Sequence, residues 1–133
     1  MDSEATSDQP GTEQERRELH LAELSNAMVR LYKDIFGRGP TKTRTNYAGP
    51  DVIVSSLEDS LTRPERKMAE AGEHERLRNL RMFFQYEYED DFVGAVEAIT
   101  GRKVKAFISG LDTRRDVACE LFYLEPNGTR AGG

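Results

Sequence analysis

An α+β fold is predicted, with a four-stranded, mostly antiparallel sheet built from two hairpins and with two long helices and one short helix packed on one face. Three observations carry it. Two long segments repeat apolar residues at intervals of three and four. Two pairs of short alternating segments are each joined by a tight turn. Glycine and proline fall between these segments and seldom inside them.

The first helix is expected from Thr12 to Phe36. Leu21, Leu24, Met28, Leu31 and Ile35 form one apolar stripe, widened by Tyr32 and Phe36. Gly37 stops it, and Pro40 prevents a restart. Thr41 to Ala48 alternates as a strand does, with Thr41, Thr43, Thr45 and Tyr47 on one face and Lys42, Arg44 and Asn46 on the other. Gly49 and Pro50 turn the chain into a second strand, Val52 to Leu57. So short a link requires antiparallel pairing.

Thr62 and Glu65 have the spacing of a capping box, with Pro64 in the first turn, so a short helix should run from Thr62 to about Gly72. A single long helix is expected from Glu73 to Thr100, with Leu77, Leu80, Phe84, Tyr88, Phe92, Val96 and Ile99 as its stripe and Gly101 closing it. Lys103 to Ser109 and Asp116 to Leu124 read as the second hairpin, with Gly110 to Arg115 as its turn.

The 133 residues suffice for one domain. Residues 12–125 are read as that domain, residues 1–11 as a disordered N-terminal tail and 126–133 as a disordered C-terminal tail, because both ends lack the apolar surface that offsets ordering entropy. The net charge is −5, and much of it precedes Leu19, where six acids face two bases. The body is therefore close to neutral and is not a general polyanion binder. A single cysteine, Cys119, excludes an intramolecular disulfide. No signal peptide is visible, and no run approaches the ~18 apolar residues of a membrane span. A cytoplasmic protein without membrane insertion is expected.

Each chemical candidate also has a plainer role. The segment from Gly37 to Arg44 gathers glycines, threonines and three bases, so Arg38, Gly39, Lys42 and Arg44 are the anion-binding candidates. Yet the segment leaves a helix and enters a strand, the reverse of a phosphate loop, and reads first as a helix stop. Glu87, Glu89, Asp90 and Asp91 could hold a hard cation, but their helical spacing spreads them around a solvated face. His20 and His74 lie on different elements without metal spacing. Cys119, alternating with Ala118 and Glu120 in a strand, reads as a buried small hydrophobe.

Arg76, Arg78, Arg81, Lys103, Lys105, Arg114 and Arg115 could meet RNA, with Phe107 as the main stacking aromatic. Solubility and salt pairing explain them as well, so nucleic acid is not the expected partner. No catalytic residues, metal site or cofactor are assigned.

The stretches Leu31-Tyr32-Lys33-Asp34-Ile35-Phe36-Gly37-Arg38-Gly39-Pro40-Thr41 and Ala98-Ile99-Thr100-Gly101-Arg102-Lys103-Val104 are distinctive together. With the FF and DDF of the third helix and the closing LFYLEP, the chain resembles the MpsC-like family from about Glu15 to Pro126. That family, long a domain of unknown function, takes its name from a sodium-translocating, membrane-potential-generating system linked to inorganic-carbon uptake in some bacteria. The resemblance transfers no catalytic or ligand residue. It implies a soluble accessory component whose translocating partners are membrane proteins.

The leading expectation is thus a non-enzymatic accessory or regulatory protein that binds a protein partner, such as the cytoplasmic face of a sodium or bicarbonate transporter. Unpaired sheet edges also suit a homodimer. The alternatives are an anion or nucleotide sensor using the basic loop, and a nucleic-acid-binding module.

Overall fold

Thr12 opens the first helix with a complete capping box: its hydroxyl accepts from the Glu15 amide, and the Glu15 carboxylate accepts from the Thr12 amide. The computed structural model describes residues 11–126. Of the expected tails, 1–11 and 126–133, all but Gly11 and Pro126 lie outside the described residues. Helix α1 spans Glu13–Phe36 and ends at Gly37, whose φ of 82° is the left-handed conformation that glycine accepts without strain. Strands β1 (Lys42–Tyr47) and β2 (Val52–Glu58) follow. Helix α2 (Arg63–Glu70) carries the second capping box, Thr62 with Glu65.

The expected single helix from Glu73 to Thr100 is two helices, α3 (His74–Glu87) and α4 (Glu89–Thr100), which meet at Tyr88. Tyr88 has φ −99° and ψ 22°, outside helical geometry. A straight helix of that length would reach about 40 Å and overhang the sheet. The break lets α3 follow β3 while α4 packs against α1. It also places Glu89, Asp90 and Asp91 in the first turn of α4, where carboxylates oppose the positive end of the helix dipole. The acidic run is therefore a helix start.

Strands β3 (Val104–Asp112) and β4 (Val117–Leu124) form the second hairpin. Gly110, Leu111 and Asp112, expected in the turn, continue β3, and Asp116, expected to open the last strand, joins the turn at residues 113–116. All pairings are antiparallel, in the order β1-β2-β4-β3.

The helices cover one face of this sheet. Ile53, Leu57, Phe107, Leu111, Ala118, Phe122 and Leu124 point into that layer. They meet Leu24, Met28 and Tyr32 of α1 and Phe92 and Val96 of α4. With no tryptophan, aromatic packing falls to rings such as Phe107, which stacks on Phe92 at 5.6 Å and touches Phe122 at 5.3 Å. Each fully buried side chain of this kind contributes about 1.5–3 kcal/mol.

Candidate functional site

Two features of the fold are not explained by the apolar core. The first is a polar network between α1, α2, α3 and the sheet. Helix α3 buries Leu77, Arg81 and Gln85 at intervals of four, so its inner face is largely polar. Arg81 is fully buried. Its Nε donates to Glu65 Oε2 at 2.8 Å, and its Nη2 donates to Glu65 Oε1 at 3.1 Å and to the Ser60 carbonyl at 2.7 Å. Its guanidinium also lies 3.7 Å from the centre of the Phe36 ring. This two-pronged pairing is the geometry by which a buried arginine offsets its desolvation. Burial alone would raise the Glu65 carboxyl, but the hydrogen bonds from Arg81 and from Thr62 outweigh it and hold it below the usual range.

Gln85 extends the network. Its Nε2 donates to Ser109 Oγ at 2.5 Å and to Glu120 Oε2 at 3.2 Å. The Tyr32 hydroxyl donates to the same Glu120 oxygen at 2.5 Å. Burial pushes the Glu120 carboxyl up to about 7, against the opposing hydrogen bonds of Ser109 and Tyr32 and the charge of Arg81. Glu120 Oε1 has no hydrogen-bond partner. Because Tyr32, Arg81, Gln85 and Glu120 are all fully buried, the network fastens α1, α2 and α3 to the sheet and presents no surface to a substrate.

The second feature is the uncovered face of the sheet. Strand register places Asn46, Val54, Leu121 and Ile108 in one row across all four strands. Val52, Tyr123 and Ala106 form the adjoining row. Among the described residues no helix packs on this side. Val52, Val54, Leu121 and Tyr123 are only half-buried, and Ile108 is 47% exposed. Ser56, Cys119 and Gly110 lie in the next row, with Arg44 at its β1 end. Lys42 follows on β1, opposite Glu58. The result is an apolar field with a charged corner. Cys119 belongs to this field as a half-buried thiol, which burial and then the Glu120 charge push above its ordinary value.

The anion-binding candidates are not brought together. Lys42 and Arg44 share the open face. Arg38 instead pairs with the Asp59 carboxylate at 3.0 Å and donates to the carbonyls of Asp59 and Leu61 at 2.6 and 3.0 Å. Gly39 packs closely on Val29, where a Cβ would come within 3.3 Å. Arg38 and Gly39 therefore fasten the loop.

A basic crevice of about 170 Å³ lies at the start of α1, lined by Arg16, Arg17, His20 and Arg102 among others. Arg17 stacks on Tyr47 at 4.0 Å, and Arg102 is held by Asp51 and two carbonyls. His74 Nδ1 shares a 2.9 Å hydrogen bond with Thr113. Of the residues considered for RNA, Arg81 and Phe107 are inside the protein. Among the described residues, no group of three or more His, Cys, Asp or Glu is placed to hold a metal ion, and no helix is long and apolar enough to cross a membrane.

The family model described as "Na+-translocating membrane potential-generating system (MpsC)" matches residues 16–126. The chain belongs to the MpsC family. No curated protein and no solved structure matches it. The matched span takes in almost all of α1, every later helix, all four strands and both features described above. The MpsC assignment expected from the two glycine-containing segments is thereby shown. Those segments do structural work: Gly37 caps α1, Arg38 ties its end to the loop after β2, and Gly101 caps α4. The buried network and the apolar character of the open sheet face were not found by sequence reasoning. Arg81 and Gln85 follow Leu77 at intervals of four, a polar stripe at core spacing that would have signalled the network.

Proposed function

We propose that this MpsC-family chain is a non-enzymatic accessory protein of a sodium-translocating system, acting on the cytoplasmic side by docking the open face of its sheet onto a membrane subunit. The observation that carries the reading is the apolar field of Val52, Val54, Ile108, Leu121 and Tyr123 on a sheet whose other face already holds the core. A two-layer protein has no internal use for such a field, and contiguous exposed apolar surface marks interaction sites. The adjoining Lys42 and Arg44 supply a polar rim, the usual border of a protein interface. The family description supplies the sodium-translocating context.

The test is crosslinking of the tagged protein in membranes of the producing cell, with identification of the crosslinked subunits by mass spectrometry. A subunit of an ion-transporting complex is expected, and Val54→Lys or Leu121→Lys should remove it while leaving the fold intact by circular dichroism. Recovery of water-soluble proteins alone, or undiminished capture by both variants, overturns the reading.

A further inference from the structure

Helix α3 is apolar on the side that faces away from the protein. Leu80 is 44% exposed, Phe83 60% and Phe84 37%, while Arg81 and Gln85 on the other side are fully buried. The Phe83 and Phe84 rings pack on each other edge to face at 5.2 Å. Arg76 and Glu87 lie on the same outer face, one turn or so beyond the apolar residues at either end. Along that face the order is Arg76, Leu80, Phe83, Glu87, with intervals of four, three and four. The pattern is symmetric about its centre, apart from a base at one end and an acid at the other.

We infer that this face binds a second copy of the same chain, with the two α3 helices antiparallel about a two-fold axis that passes between Leu80 and Phe83. A two-fold interface must be complementary to itself. In this register Leu80 meets Phe83 of the other copy, and Arg76 meets Glu87 of the other copy twice over.

The charges supply a second, independent argument. Within one chain they oppose the helix dipole: Arg76 is near the positive start, where its one partner is an exposed 3.5 Å pair with Glu73, and Glu87 is in the last turn, which has no base. The start of α3 also lacks a side-chain cap. In the antiparallel pair each charge lies beside the dipole end of opposite sign on the other copy. The sheet edges are less suited to self-association: β3 has a register shift beside the exposed Lys105, and β1 carries Lys42 and Arg44. Back-to-back α3 helices leave both open sheet faces free, so this contact is separate from the docking surface proposed above.

One helix face is smaller than a standard stable interface, so the dimer should have micromolar affinity. Sedimentation equilibrium of the whole chain over a wide concentration range tests it. A reversible dimer is expected, weakened roughly thirty-fold or more by Phe83→Asp with unchanged circular dichroism. Arg76→Glu and Glu87→Arg should each weaken it alone, because each sets like charges opposite one another. Mixed together, these two variants should form a heterodimer, since every charged pair is then matched, and the double variant should dimerise with itself. The inference fails if the unmodified chain stays monomeric, if Phe83→Asp leaves the dimer unchanged, or if the mixed charge variants do not associate. A dimer abolished by Leu121→Lys and not by Phe83→Asp also overturns it, by placing self-association on the sheet.

Discussion

Helices α1 and α3 both carry apolar residues at helical spacing, yet they use them in opposite ways. Helix α1 turns Leu24, Ala27, Met28 and Tyr32 inward. Helix α3 turns Arg81 and Gln85 inward and leaves Leu80, Phe83 and Phe84 outside. The difference teaches that periodicity identifies a helix and its stripes but does not say which stripe the fold will bury. Around α3 the choice falls to the network: Glu65, Ser60, Ser109 and Glu120 are placed by α2, the loop before it and the sheet, and Arg81 and Gln85 are the α3 side chains that meet them.

The inner polar face of α3 should matter as much to stability as the apolar face of α1. Arg81→Ala should cost about 3–5 kcal/mol in urea unfolding, because Glu65 is left buried without its partner. Met28→Ala on α1 should cost a comparable amount, about 2–5 kcal/mol, from lost burial and the cavity left behind. An Arg81→Ala cost below that of an exposed substitution would break the comparison.

The network should also respond to pH where the apolar face does not. The Glu120 carboxyl is near 7 in the folded protein and near 4.5 when unfolded, so the folded state binds the extra proton between those values. Its contribution is fully present below about pH 4.5 and is lost as pH rises through 7. That amounts to roughly 3 kcal/mol between pH 4.5 and 8. Glu65 works in the other direction: held below its ordinary value, it adds stability above that value and loses it as pH falls. Thermal melts across this range should show unmodified protein losing stability toward pH 8, and Glu120→Gln should flatten that slope. An unchanged slope in the variant would show that Glu120 titrates normally.

Smaller effects sharpen the contrast at the surface. Thr62→Ala should remove about 1 kcal/mol by breaking the capping box that positions Glu65 beneath Arg81. Phe83→Ala, measured in dilute monomer, should change unfolding free energy by no more than about 0.5 kcal/mol, since the ring is mostly in water. A large loss there would mean that Phe83 belongs to the core.

The elements most legible in the sequence were those set by local chemistry. The α1 stripe, the Thr62–Glu65 capping box, the glycine stops and the first hairpin with its two faces all stand where local spacing places them. Reading failed where a local pattern continued across a tertiary boundary. By spacing, Phe84 and Tyr88 bridge Leu77 and Phe92 into one stripe, but the helix breaks at Tyr88 and both side chains remain partly in solvent. The basic loop dispersed for a similar reason, since Asp59, the anchor of Arg38, comes from a turn 21 residues away.

By itself the sequence determined the α+β class, most of the elements and their ends, and the MpsC membership, because each depends on residues near one another in the chain or on a motif read along it. Tertiary structure alone decided that Arg81 and Glu120 are buried, that the Val54–Leu121–Ile108 row is left open, and that α3 faces outward with its phenylalanines. The physical reason is that burial belongs to surfaces brought together from distant parts of the chain. A charged side chain enters the interior only when partners from other elements are there to meet it.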